Sequence, residues 1–245
     1  MRISRLFVGQ PLVEQELLLL EAESAHYLRN VLRLKKGFQL TIFNAEGGEY
    51  SATVEHISRK EVSLKIGQWR DVNLESPLSI ELGLSVSRGE RMDVAIQKAT
   101  ELGVRTITPV LTQHCVVKLN EERRLQRHQH WQSIIYRACE QCGRNIPPIL
   151  NLPLNLDVWL KEERLPECKI IFEPGMSQTL KTFNQPRDDT VAVLVGPEGG
   201  FSEQEVVAAR KTGFSPLGFG PRIVRNETAA MASVAAMQVL WGDMG

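Results

Sequence analysis

The sequence predicts an α/β protein of two parts, a β-rich N-terminal region and a larger domain on a mostly parallel sheet. Three observations carry this. Residues 38–66 alternate apolar and polar positions with the period of two that marks strands. From Leu78 onward the pattern becomes strand, loop and helix in turn, the rhythm of βαβ units. Lys169–Glu173 and Val191–Val195 are short apolar runs, as strands buried on both faces require.

The first helix is expected over Ser24–Leu34, with Ala25, Leu28, Val31 and Leu32 on one side and Gly37 as its stop. Three strands follow, marked by Phe38, Leu40 and Ile42, by Tyr50, Ala52 and Val54, and by Val62, Leu64 and Ile66. Turn-forming residues break them at Asn44–Gly48 and Ser58–Lys60, giving an antiparallel meander. A small β-barrel with one helix fits residues 1–72. Asp71–Pro77 is polar, ends in proline and reads as the linker to a second domain, 73–245. There Leu78–Val86 is a strand. Glu90–Leu102 is a helix with Met92, Ala95, Ile96, Ala99 and Leu102 as its buried stripe and Gly103 just past its end. Val104–Val110 is a strand and Glu121–Cys142 a long helix carrying many basic residues. Ser202–Thr212 is a helix opened by a capping box of Ser202 and Glu205 and stopped by Gly213. Leu217–Phe219 is the last strand and Thr228–Trp241 the last helix.

Composition narrows the function classes. Of 245 residues, 42% are hydrophobic and 24% charged, which argues against a disordered or fibrous chain. The longest obvious apolar run, Leu17–Leu20, is far short of a membrane span. Met1–Gln10 has neither the apolar stretch nor the cleavage site of a signal peptide, so a cytoplasmic protein without membrane contact is expected. Twenty-nine basic residues offset twenty-nine acidic ones, and such neutrality still permits a basic face for nucleic acid. Cys139 and Cys142 form a C-x-x-C without a second pair, and reduced thiols on a helix are expected. His114 beside Cys115, and His128 with His130, lack an accompanying ligand set, so no metal is expected.

Two loops carry the chemistry. Gly196-Pro197-Glu198-Gly199-Gly200-Phe201-Ser202 lies between a buried strand and a capped helix, where open α/β sheets bind ligands. Its glycines let backbone approach a ligand closely. It is neither a Walker loop nor G-x-G-x-x-G, and Glu198 suits a cation or sugar hydroxyls better than a phosphate. Phe219-Gly220-Pro221-Arg222-Ile223-Val224-Arg225 again follows an apolar strand and precedes a helix capped by Asn226 or Thr228. The small residues Ala229, Ala230, Ala232, Ser233, Ala235 and Ala236 on that helix fit either tight internal packing or a subunit interface. Basic residues recur at Arg2, Arg5, Arg29, Arg33, Lys35, Lys36, Arg88, Arg91, Arg123, Arg124, Arg127, Arg137 and Arg144, a distribution compatible with RNA binding.

These loops resemble the signature pair of the RsmE family, bacterial 16S ribosomal RNA uridine-N3 methyltransferases of the SPOUT superfamily. His26–Leu34, Ser87–Met92, Lys98–Gly103 and Cys139–Arg144 resemble further motifs of that family, so the likeness runs over essentially the whole chain. It implies a PUA-like N-terminal barrel, a C-terminal α/β domain tied in a trefoil knot, S-adenosylmethionine as methyl donor and a homodimer formed by the C-terminal domain. It implies cofactor contacts at Phe172, Glu173, Gly196, Pro197, Glu198, Gly199, Gly200, Phe219, Gly220, Arg222, Ile223, Val224 and Thr228. Phe219 stands where the family commonly has leucine. The substrate implied is a uridine of 16S RNA in the small ribosomal subunit, exposed by unstacking. Arg225 is the expected catalytic residue, stabilising the uracil anion. The proton acceptor stays open among Glu198, Glu227 and solvent. Arg2, Arg5, Arg29, Arg33, Lys35, Arg88 and Arg144 are the expected RNA contacts. The alternatives are a SPOUT enzyme acting on another RNA atom such as a ribose 2′-hydroxyl, a non-catalytic RNA-binding protein, and a dinucleotide oxidoreductase. The last lacks the required glycine spacing.

Overall fold

The structure is a computed structural model that describes residues 4–20, 28, 34–58, 61–117, 119–173 and 175–245. The helix expected over Ser24–Leu34, with Arg29 and Arg33, and Arg2 lie outside the described residues, apart from the buried Leu28 and Leu34. The chain forms two compact units, residues 1–75 with 139–147, and residues 76–138 with 148–245. The sequence expectation put the change at 72/73 and left 139–147 in the second domain. The structure groups 139–147 with the first unit.

In the first unit, β1 (Arg5–Phe7), β2 (Leu17–Leu20), β3 (Gln39–Phe43), β4 (Glu49–Ile57) and β5 (Val62–Arg70) form one sheet in the order β1-β3-β4-β5-β2. The alternating residues place β3, β4 and β5 as an antiparallel meander. β1 joins parallel to β3, and β2 antiparallel to β5. Irregular register at Tyr50/Ala52 and Val54/His56 bends β4, as bulges do. Leu18 and Leu20 turn inward beside Leu40, Ile42, Val54 and Leu64, while Leu17 and Leu19 face solvent.

Segment 139–147 is held to this unit by buried charge. Arg5 pairs with Glu49 and donates to the carbonyls of Gly143 (3.1 Å) and Arg144 (3.4 Å) and to Asn145 Oδ1 (2.6 Å). Arg144 pairs with Glu75 at 2.6 Å. The Arg5 and Arg144 side chains are only 13% and 6% exposed. Both were expected to contact RNA. The structure corrects this, because each guanidinium is buried and engaged by carboxylate within the unit.

The second unit is built on β6 (Ser79–Ser85), β7 (Thr106–Leu111), β8 (Ile149–Leu150), β9 (Leu154–Asn155), β10 (Lys169–Phe172), β11 (Thr190–Val195) and β12 (Ser215–Leu217). Its order is β12-β10-β11-β6-β7-β8, with β9 also on β7, and every pairing is parallel. Val191–Val195 are fully buried, as a central parallel strand requires. Helices α1 (Glu90–Glu101), α2 (Glu121–Cys142), α3 (Glu203–Lys211) and α4 (Asn226–Trp241) match the expected segments, and Ser202 with Glu205 forms the expected capping box on α3. On α1 the buried stripe is Met92, Ala95, Ile96, Ala99 and Thr100. Leu102 is instead the half-buried C-cap, and Thr100 enters the interior because its hydroxyl donates to the Ile96 carbonyl at 2.9 Å. Cys139 is buried, which pushes its thiol up to about 12, far from the thiolate that redox chemistry needs.

Glu49 accepts from the buried Arg5 and also from Arg70, which is half exposed. Glu49→Ala leaves Arg5 without its counter-charge and is expected to lower the unfolding free energy by about 3 kcal/mol, as for other broken buried pairs. Arg70→Ala removes a half-exposed cation and its weak bond to Thr41 Oγ1 at 3.3 Å while leaving Arg5 on Glu49, and is expected to cost less than about 1 kcal/mol. Urea denaturation of the two variants checks the contrast.

Candidate active site

Parallel pairing brings the carboxyl ends of β12, β10, β11 and β6 to one edge, so the loops that follow converge there. They enclose a cavity of about 290 Å³, close to the lower limit of about 300 Å³ for small-molecule sites. Phe172 and Glu173 come from the end of β10; Val195 ends β11, and Gly196, Pro197, Glu198, Gly200 and Phe201 follow it. Phe219, Gly220, Arg222, Ile223 and Val224 follow β12, and Asn226, Ala229 and Val206 complete the lining from α4 and α3. The Phe172 and Phe219 rings meet edge to face at 5.2 Å. The phenylalanine at 219 therefore adds an aromatic contact to the apolar wall.

Close packing dictates two of the glycines. A side chain at Gly218 would strike the carbonyl of Met176. One at Gly196 would lie 2.8 Å from the Phe201 ring. Asn226 ties the loops together: its Nδ2 donates to the Gly196 carbonyl at 2.6 Å and, weakly, to the Ser85 carbonyl at 3.5 Å. Its Oδ1 is buried without a hydrogen-bond partner among the described residues. A buried acceptor in a cavity wall is suited to a ligand N–H.

Two carboxylates at the rim are paired. Glu173 accepts from Arg210 at 2.9 Å, and Glu198 from Arg91 at 2.6 Å. Burial opposes ionisation of Glu198. The loop's backbone N–H, the Arg91 hydrogen bond and the positive charges of Arg91 and Arg88 outweigh it and hold the carboxyl below its ordinary value. The cation that suits Glu198 is thus an arginine of this chain. Behind the loop, His114 Nδ1 donates to the Gly200 carbonyl at 3.1 Å.

Eleven of the thirteen expected cofactor residues line the cavity. Gly199 and Thr228 do not: Gly199 faces His114, and Thr228 is exposed on α4. Arg225 is the exposed N-cap of α4, outside the cavity lining, and makes no side-chain capping bond. The cap was expected at Asn226 or Thr228; Asn226 instead opens the helix itself and turns its amide to the strand ends. Val195, Phe201, Val206, Asn226 and Ala229 are lining residues not anticipated. Phe201 stood in the first loop motif and Asn226 after the second as a possible cap, whereas Val206 lies outside both and carries no motif signal.

The chain has one unit with a parallel sheet and a ligand cavity at its carboxyl edge, and a second, β-rich unit; family models identify a two-domain RNA methyltransferase. Residues 74–238 match the RNA methyltransferase domain model, and residues 20–67 match the RNA methyltransferase PUA domain model. The chain belongs to the ribosomal RNA small subunit methyltransferase E family. It is 36% identical to the family member of Buchnera aphidicola, over 99% of this chain and 98% of that protein. It is 27% identical to that of Bacillus subtilis, over 90% and 91%. Among solved structures, a Legionella pneumophila protein in complex with the cofactor SAM is similar, with a TM-score of 0.95, 40% identity and full coverage of both chains. So is the Neisseria gonorrhoeae ribosomal RNA small subunit methyltransferase E bound to S-adenosyl methionine, with a TM-score of 0.91, 34% identity and full coverage of both chains.

A carboxyl whose folded pKa lies below its unfolded value stabilises the fold above the unfolded pKa, and that contribution is lost as pH falls through the folded pKa. The Arg91–Glu198 tie is therefore expected to hold at neutral pH and to release only below the ordinary glutamate value of about 4.3. Carboxyl-carbon NMR should show Glu198 titrating below that value, and Arg91→Ala should move it upward.

Proposed function

We propose that this protein transfers a methyl group from S-adenosylmethionine to N3 of a uridine in 16S ribosomal RNA of the small subunit. The observation that carries the reading is the cavity at the three strand-end loops, on a chain matched end to end by relatives solved with that cofactor. The residues fit the group. Asn226 Oδ1 awaits a donor, the glycines admit a ligand against backbone, and Phe172, Val195, Phe219 and Val224 offer apolar wall. S-adenosylmethionine supplies an electrophilic methyl on a sulfonium.

The chain's own work is to orient, to exclude water and to manage one proton. Alignment of uracil N3 supplies much of the acceleration. Arg225, exposed next to the cavity loop, stabilises the uracil anion as N3 loses its proton. Glu198 is committed to Arg91 and is a weak base with its lowered pKa, which argues against its taking that proton. Glu227 carries a buried Oε2 without a partner among the described residues, which favours it as acceptor. Lys35, Arg88 and, outside the described residues, Arg2, Arg29 and Arg33 hold the RNA. The second domain is threaded as a trefoil knot. Two copies pair through α4, whose Val239 and Leu240 are exposed beside Met244. The protein works in the cytoplasm.

The test is methylation of isolated small ribosomal subunits with labelled cofactor, followed by mass spectrometry of the nucleosides. Product at 3-methyluridine is expected; label on a ribose 2′-hydroxyl would replace this reading with that of another SPOUT-type enzyme. Asn226→Ala should weaken cofactor binding at least about tenfold by calorimetry, since about 1.4 kcal/mol separates each factor of ten. Arg225→Ala should lower the single-turnover rate at saturating RNA with little change in RNA affinity.

A further inference from the structure

A second cleft in the methyltransferase unit has the features of a binding site and is separate from the cofactor cavity. A space of about 420 Å³ is lined by Val117, Leu119, Arg123, Gln126, Arg127 and His130. It shares Val117, Leu119 and Arg127 with a deeper pocket of about 80 Å³ that reaches Ser87, Arg88 and Trp131.

Two properties point to a ligand. First, Ser87 and Trp131 are 5% and 1% exposed, yet Ser87 Oγ and Trp131 Nε1 have no hydrogen-bond partner among the described residues. Buried donors without partners are costly, and each retains a bond to give. Secondly, Arg88, Arg123 and Arg127 are exposed and have no carboxylate partner among the described residues. The indole donates only and guanidinium donates only, so the complementary ligand is an acceptor-rich anion. His130 of the cleft lining holds Asp93 at 2.9 Å, and Gln126 holds Glu122 at 3.2 Å.

The cleft also shares an element with the cofactor cavity. The loop between β7 and α2 supplies Val117 and Leu119 to the cleft and His114 to the Gly200 carbonyl of the cavity loop. Arg91, just beyond Arg88, ties the same cavity loop through Glu198. The cleft and the cavity loop are thus joined through His114 and Arg91.

We infer that this cleft is an RNA-backbone subsite, with Arg88 and Arg127 gripping a phosphate and Ser87 and Trp131 completing its hydrogen bonds. The inference rests on the methyltransferase reading above and extends it to how the substrate strand is held. The experiment measures binding of full-length protein to isolated small ribosomal subunits over a range of KCl, with S-adenosylmethionine affinity by calorimetry as the measure of a folded site. Arg127→Ala and Arg88→Ala should each lower affinity and flatten the dependence of log K on log salt by about 1, as loss of one phosphate contact does. Ser87→Ala should lower affinity equally at every salt concentration, with the slope unchanged and the melting temperature of the free protein equal or higher. Unchanged slopes in both arginine variants, with wild-type binding intact, would overturn the subsite and leave the methyltransferase reading standing. Lost affinity with wild-type slopes in both arginine variants would assign the cleft to a ribosomal protein and also overturn it. A wild-type protein that binds cofactor but neither binds nor methylates the subunits would sink both.

Discussion

The amide of Asn226 is the constraint on which the cavity depends. At the carboxyl edge of a parallel sheet, strand carbonyls run out of partners while still shielded from water. Asn226, the first residue of α4, donates to the Gly196 carbonyl just past β11 and reaches toward Ser85 at the end of neighbouring β6. Only a neutral side-chain donor does this without burying a charge. Aspartate would set oxygen against oxygen, and leucine would leave the Gly196 carbonyl unpaired. Because the same residue begins α4, the loop after β12 is fixed at both ends: by Asn226 on one side and by the bonds Glu173 N–H to Leu217 and Gly218 N–H to Gln178 on the other. The cavity is the space those two anchorages leave open.

Much of this architecture is legible in the residues because it rests on local rules. Period-two alternation places β3 to β5, continuous apolar runs place β10 and β11, and the Ser202–Glu205 box places the start of α3. What local rules miss is set by distant partners. Arg5–Phe7 is a strand because it pairs with Thr41–Phe43, and nothing in three residues announces that. Leu17–Leu20 reads as a bare apolar run until its register with Val62–Lys65 turns Leu18 and Leu20 inward. Segment 139–147 looks like the end of a long helix in the second domain. Its allegiance is decided by Arg5, more than 130 residues earlier in the chain, which holds Gly143, Arg144 and Asn145.

The cavity was legible for a related reason. Glycines at strand ends are visible in sequence because the loop leaves no room for a side chain, as at Gly196 against the Phe201 ring, or takes a positive φ, as at Gly200 and Gly220. Of the remaining lining, Val195 and Val206 are ordinary apolar residues that look no different from core. Asn226 was visible only as a helix cap. Its actual role needs the strand ends in place, since an asparagine is read as a cap wherever a helix starts.

Charge shows the limit of counting most clearly. Arg5, Arg144, Arg164 and Arg210 each lie on a carboxylate, whereas Arg88, Arg123 and Arg127 have none at ion-pair distance among the described residues, and the sequence writes all seven with one letter. Paired cations cancel their field within a few ångströms. Unpaired ones act over a Debye length of about 8 Å at physiological salt. A chain with net charge zero exerts little long-range pull on RNA, so attraction has to come from the local field of such unpaired groups. That places the burden of substrate capture on where the arginines are left free rather than on how many there are. Burial decides this: the same guanidinium that ties a fold together at Arg5 is open to solvent at Arg127.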